Sequence, residues 1–205
     1  MCLKNKIKGE NMKPFTILVG KSASGKDTIL QQVLKVSKSF NPIVSTTSRP
    51  KRDNEKEGVD YYYVSKSGFL DLINDNQLIE YRTYDTLVGG IKDTWYYGLQ
   101  KKDLDLNKKY IVILDLDGAR SFIDYYGSDN CRVCYIYCYD DKRKERAKKR
   151  PNFDEQEWNR RFEADKKDLS LSKFTAMFRD TETLIFDNIE KNDYKDIAVD
   201  IVTRR

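Results

Sequence analysis

Three observations predict an α/β fold for this 205-residue chain, with a parallel β-sheet covered by helices on both faces. Short apolar runs alternate with stretches of helical periodicity, the pattern of a sheet built from crossover units. The first run, Phe15-Thr16-Ile17-Leu18-Val19, opens directly into a glycine-bearing loop and then a helical stretch. Residues 45–100 break the rhythm and are rich in Tyr, Arg and Asp, which predicts an inserted unit of mixed α/β structure.

The predicted strands are Phe15–Val19, a segment around Pro42–Ser45, Tyr110–Leu114, Val133–Tyr139 and Thr183–Phe186. The predicted helices are Thr28–Ser37, Leu116–Tyr126, Asp141–Lys149, Glu155–Ser170 and Tyr194–Val202, with Ser67–Asn74 the one clear helix of the insertion. Pro42, Pro50 and Pro151 fall near the expected boundaries, where a missing N–H costs least. The expected organisation is a disordered basic tail at 1–12, a core of 13–44 and 101–205, an insertion at 45–100, and a helical lid at about 141–165. Met12 is an alternative start.

Composition narrows the function. Charged residues make up 35% of the chain, no apolar stretch reaches bilayer length, and the N-terminus lacks the apolar centre of a secretion signal. A cytoplasmic protein without a membrane partner is expected. The net charge of +5 suits a phosphate-rich small molecule but is modest for a nucleic-acid binder, so no nucleic-acid partner is expected. The absence of histidine excludes Ser–His, Cys–His and His-ligated metal chemistry. Cys131-x-x-Cys134 has metal-like spacing, yet it lies in Cys131-Arg-Val-Cys-Tyr-Ile-Tyr-Cys138, which reads as a buried strand of reduced thiols.

The loop Gly20-Lys21-Ser22-Ala23-Ser24-Gly25-Lys26-Asp27-Thr28 has the strand–loop–helix context of a P-loop. Its glycines let backbone N–H groups curl around phosphate, and the following helix presents its positive end to the same anion. The sheet is therefore expected to be of P-loop NTPase type, with Lys26 reaching the outer phosphates. Asp27 stands where a hydroxyl residue ordinarily holds Mg²⁺. Tyr110-Ile-Val-Ile-Leu-Asp115 is an apolar strand ending in a carboxylate, which a parallel sheet sets beside the loop. Asp117-Gly118-Ala119 reads as a helix cap, which leaves Asp115 as the better functional candidate. The basic run Asp141–Arg150 reads as a solvated helix face, a nucleic-acid patch or a lid. A hairpin through Pro151-Asn152 to Arg160-Arg161 would turn arginines into one gap and favours the lid.

Ser45-Thr-Thr-Ser-Arg49-Pro-Lys-Arg52, then Gly58-Val-Asp-Tyr61-Tyr-Tyr-Val-Ser65, Leu78-Ile-Glu80-Tyr81, Tyr96-Tyr97-Gly98 and Ile113-Leu-Asp115-Leu-Asp117 follow in an order and spacing that resemble guanylate kinase over nearly all of Lys13 to Asn188. The resemblance implies ATP-dependent phosphorylation of GMP or dGMP by in-line transfer with Mg²⁺. It implies that Gly20 to Thr28 bind ATP. Arg49, Arg52, Tyr61 and Tyr97 would hold the GMP phosphate, and Ser45, Glu80 and Asp115 would read guanine. Lys26 would act in transfer with the lid arginines Arg146, Arg150 and Arg161. Asp27, Thr28 and Asp117 are the candidates for Mg²⁺. Small-molecule nucleotides are the expected partners, and the oligomeric state is open.

Three features depart from the family pattern: Asp27, Leu99 in place of a hydroxyl residue that contacts the base, and a long connection from Thr83 to Trp95. Leu87-Val-Gly-Gly-Ile91 within that connection reads as a flexible tip over the acceptor. The Gly-Lys-Asp-Thr ending also resembles ribose 1,5-bisphosphate phosphokinases, although the Gly-Val-Asp-Tyr block argues against them. A noncatalytic guanylate-kinase-like binding module is the alternative from another class.

Overall fold

The computed structural model describes residues 13–53, 55–88, 91–151 and 153–204. The expected tail at 1–12 and the pair Gly89-Gly90 lie outside them, as does Asn152.

Strand β1 (Phe15–Val19) leads into helix α1 (Lys26–Val36) and strand β2 (Phe40–Pro42). Strands β3 (Thr46–Thr47) and β4 (Tyr62–Tyr63), helix α2 (Lys66–Asn74), and strands β5 (Leu78–Val88) and β6 (Ile91–Gln100) follow. The chain then continues through β7 (Lys109–Ile113), α3 (Leu116–Tyr126), β8 (Cys131–Tyr137), α4 (Asp140–Lys148), α5 (Glu155–Asp168), α6 (Leu171–Met177), β9 (Glu182–Asp187) and α7 (Asp193–Thr203).

Five strands form one sheet in the order β2-β7-β1-β8-β9, and every pairing is parallel. The alternation of β1 divides the interior. Phe15, Ile17 and Val19 face a core completed by Phe122 of α3 and Phe174 of α6. Leu18 faces the opposite side, where Ile29 and Val33 of α1 meet Ile197 and Ile201 of α7. Cys131 and Cys134 fall on these two opposite faces, and both are fully buried. Burial pushes each of their thiols up to about 12, as expected of packing residues.

The second sheet, β4-β3-β6-β5, is built from residues 46–100. Here the sequence reading was incomplete. The connection from Thr83 to Trp95 belongs to a long antiparallel hairpin paired from Leu78↔Gln100 to Val88↔Ile91, and Gly89-Gly90 of the tip expected at Leu87–Ile91 lie outside the described residues. Its described side chains are mostly half-exposed and mix aromatic with charged residues, so they carry little apolar periodicity.

Because β1 and β7 are parallel neighbours, the loop after β1 and Asp115 after β7 meet at one carboxyl edge of the sheet. That is where a crevice opens in such sheets.

Candidate active site

The loop after β1 adopts its shape because two positions have room only for glycine. Gly20 has φ +149°, and a Cβ there would sit 2.5 Å from the Ile136 carbonyl oxygen. Gly25 has φ +98°, and a Cβ there would sit 2.3 Å from Asn188 Nδ2. Asn188 is buried after β9 and donates to Ser24 O at 2.7 Å, which fixes the loop from behind.

Lys26, Arg143 and Arg146 beside this loop are committed to protein partners. Lys26 Nζ donates to Gly20 O at 2.7 Å and to Lys21 O at 3.1 Å. Part of the residue's surface is exposed, but the ammonium lies deep among protein atoms. Burial pulls it below the usual lysine value, against the opposing pull of Asp27 and Asp165. Asp165 of α5 accepts from the Ser22 amide at 2.8 Å, so a carboxylate already occupies one of the N–H groups of the cradle. Arg143, fully buried, bonds to Asp165, donates from Nε to Ser22 O at 2.8 Å, and pairs with Asp140 at 2.6 Å. Its guanidinium also lies 5.6 Å from the Trp158 ring centre and 5.7 Å from that of Phe162.

Across the cleft, Arg49 is 4% exposed and donates to Glu55 Oε1 at 2.7 Å and to Pro50 O at 2.8 Å. Tyr61 and Tyr63 stand within 5.6 and 5.9 Å of its guanidinium. Burial alone would raise the Glu55 carboxyl, but Arg49, the Arg52 N–H and the Tyr63 hydroxyl hold it at about 2. Tyr97 packs edge-on to both Tyr61 and Tyr84. The Glu80 carboxylate accepts no hydrogen bond among the described residues. Burial pushes its carboxyl up to about 7 despite the nearby Arg82 charge, and Asp115 adds to the rise.

One cleft of about 720 Å³ gathers most of the residues expected from the sequence. Gly20, Ser22 and Lys26 line the loop side, Ser45, Arg49, Arg52, Tyr61, Glu80, Tyr97 and Asp115 the second sheet and β7 edge, and Arg161 the α5 side. Lys21, Ala23, Ser24 and Gly25 belong to the same loop without lining the cleft.

Other expected residues are placed differently. Arg146 turns behind the loop, donating to Ser24 O at 3.4 Å and Ile189 O at 3.2 Å. Arg150 is exposed at the end of α4, close enough to Lys26 for its charge to oppose that ammonium. Helices α4 and α5 do form a hairpin, tied by a Lys144–Glu155 pair at 2.6 Å, but the arginine filling the gap between them is Arg143. Arg161 is held by Glu157 at 2.6 Å.

The cap expectation is corrected. The residue capping α3 is Asp115, which accepts from Gly118 N at 2.7 Å, and Asp117 lies within the first turn. Asp115 has the extended backbone that an N-cap needs. Leu99 is 1% exposed, packs in the core and lies outside the cleft lining.

Sequence reading missed Arg82, Glu55, Arg143 and Asp165. Arg143 was hidden in a run of ten mostly charged residues that reads as a solvated face. Glu55 could have been suspected from its position three residues after Arg52.

A metal also has to be weighed against these side chains. Asp27 and Thr28 are exposed side by side in the first turn of α1. Among the described residues no cluster of three or more carboxylate or cysteine side chains is preassembled to hold an ion. The exposed Asp27 carboxylate is the type of donor that Mg²⁺ takes alongside nucleotide phosphates. Asp27, Thr28 and Asp117 all lie outside the cleft lining, Asp27 and Thr28 on the adjoining face of α1.

A family model described as Guanylate kinase matches residues 11–183. The chain belongs to the guanylate kinase family. A guanylate kinase from Rickettsia bellii is 34% identical over 117 residues, covering 55% of this chain and 56% of the relative. Guanylate kinase 2, chloroplastic/mitochondrial, from Oryza sativa is 33% identical over 115 residues, covering 54% of this chain and 38% of the relative. A guanylate kinase from Bacteroides thetaiotaomicron is 36% identical over 110 residues, covering 52% and 50%. The matched stretch thus spans about half the length of these relatives or less. The crystal structure of guanylate kinase from Anaplasma phagocytophilum has the same fold, with a TM-score of 0.61, 22% identity, and coverage of 93% of this chain and 84% of that one. Among the described residues no helix is long and apolar enough to cross a membrane.

Proposed function

We propose that this guanylate kinase family member transfers the terminal phosphoryl group of ATP to GMP or dGMP. One observation carries the reading: the loop-side ammonium of Lys26 and the arginine–tyrosine cluster of Arg49, Arg52, Tyr61 and Tyr97 line the same cleft. Phosphoryl transfer needs a donor cradle, an acceptor grip and cations, with little covalent work by the protein. On this reading Lys26 leaves the carbonyls of Gly20 and Lys21 and turns to the donor phosphates. Arg49 and Arg52 hold the acceptor phosphate, with the hydroxyls of Tyr61 and Tyr97 as neutral donors. Glu80 accepts from the N1 and N2 hydrogens of guanine. Arg161 stabilises charge that develops during transfer. Asp27, beside Thr28, would hold Mg²⁺, which would supply neutralisation of the phosphate oxygens.

A noncatalytic binding module is the second reading, favoured by one observation: Lys26 and the Ser22 amide are already satisfied within the protein. A coupled ADP-release assay with ATP, Mg²⁺ and a panel of NMPs, dNMPs and ribose 1,5-bisphosphate separates the possibilities. Turnover confined to guanine monophosphates is expected. Turnover with the sugar bisphosphate alone would sink the proposal, and GMP binding without turnover would establish the module.

A further inference from the structure

Alternation along β5 puts Glu80, Arg82 and Tyr84 on one face, and all three line the cleft. Arg82 pairs in register with Tyr97. Its guanidinium forks onto Asp115, from Nε to Oδ2 and from Nη2 to Oδ1, both at 2.7 Å. Asp115 Oδ1 also accepts from Gly118 N at 2.7 Å, so both oxygens of this carboxylate have partners. The guanidinium, by contrast, has donors to spare. A guanidinium carries five N–H bonds; beyond the fork, Arg82 makes one long contact among the described residues, from Nη1 to Tyr81 O at 3.3 Å. Leu99, where the family pattern has a hydroxyl residue toward the base, is buried in the core and offers no donor.

We infer that Arg82 is the base-specificity residue of this chain, donating to the O6 side of guanine while Glu80 accepts from N1 and N2. Asp115 then acts through Arg82 as a positioning residue. This rests on the proposed use of GMP. The chemistry is complementary: guanine presents acceptors at O6 and N7, and arginine is the side chain best matched to them. Adenine puts an amino donor where Arg82 also donates, so two donors would face each other without a partner, which is how such a site rejects the wrong base. The fork on Asp115 holds the guanidinium before the base arrives and lowers the ordering cost of binding.

The test is equilibrium binding by calorimetry of the full chain to GMP, IMP and 6-thio-GMP, whose bulky sulfur is a poor acceptor at the O6 position. The wild-type chain is expected to bind 6-thio-GMP about tenfold or more weakly than GMP, the size of one good base contact. In Arg82→Met, GMP binding is expected to fall and the two ligands to differ by no more than about twofold. The GMP-to-IMP preference, set by the N2 amino group at Glu80, should be unchanged. Arg82→Lys keeps an ion pair with Asp115 and a donor toward O6, so it guards against a folding defect and should restore part of the discrimination that Arg82→Met loses. Asp115→Asn retains a capping side chain and should reduce the GMP-to-6-thio-GMP ratio without altering the GMP-to-IMP ratio. Variants that keep the wild-type GMP-to-6-thio-GMP ratio would overturn the inference alone. A wild-type chain that binds no GMP would overturn the proposed function and this inference with it.

Discussion

The two walls of the cleft are built on opposite electrostatic plans. On the loop side, Lys26, Arg143 and Arg146 spend their donors on carbonyls and carboxylates of the protein itself. On the acceptor side, the Glu80 carboxylate stays without a hydrogen-bond donor and the Arg52 guanidinium forms no ion pair among the described residues. These cations have to leave protein partners to take a ligand, although the buried Ser24 Oγ and Asn188 Oδ1 of the same wall have no partner among the described residues. The acceptor side also pairs Arg49 and Arg82 with carboxylates, but it leaves the Glu80 carboxylate and the Arg52 guanidinium open to a ligand. Changes on the loop side should strike fold and activity together, and changes on the acceptor side should separate them.

The largest effect tests the loop side directly. Lys26→Ala should lower the transfer rate by about 10²–10³-fold or more while leaving acceptor binding near normal, as single-turnover kinetics alongside GMP titration will read. An acceptor affinity that fell in step with the rate would break the division between the two walls. Next comes Arg143→Ala, which leaves Asp165 buried without its cation. A loss of about 3–5 kcal/mol in denaturant unfolding is expected from such a pair, and a loss below about 1 kcal/mol, the range of exposed pairs, would show that it is not structural.

On the acceptor side, Arg52→Ala should raise the acceptor KM by the equivalent of about 1.5–3 kcal/mol, the range for a hydrogen bond to a charged group. Its thermal midpoint should stay close to wild type. An unchanged KM would remove Arg52 from the phosphate grip. The subtlest test is pH. Glu80 has a folded value of about 7, above its ordinary 4.5, so the folded state binds the extra proton between these values. Its contribution therefore favours the fold below pH 4.5 and is lost as pH rises toward 7. Acceptor binding should run the other way, strengthening as Glu80 ionises on passing pH 7. Glu80→Gln should flatten both trends and leave the protein at least as stable at pH 8 while weakening GMP. A stability–pH profile identical in wild type and Glu80→Gln would show that this carboxyl is not the desolvated group.

How far the sequence could be read follows the same division. Strand β1, the loop after it and the apolar helix α3 announce themselves through contiguous residues, and their expected positions match to within two residues at each end. Acceptor residues from Arg49 to Tyr97 were legible only because their blocks resemble a family. Strands β5 and β6 were not, since a half-exposed hairpin that mixes aromatic with charged residues carries little period-2 apolar signal. Asp115 shows the limit of local reading: a cap at Asp117 is consistent with the letters, but the backbone puts the capping oxygen two residues earlier.

By itself the sequence determined the parallel sheet, the phosphate-type loop and the absence of histidine chemistry. These depend on local periodicity, on glycine where only glycine fits, and on composition. The tertiary structure alone decided which charges meet. Ser22 receives Asp165 from 143 residues away, and Arg82 finds Asp115 across the cleft edge. Such pairs join segments that share no local signal, because a charged side chain looks the same in the sequence whether its partner is water, a carboxylate or a ligand.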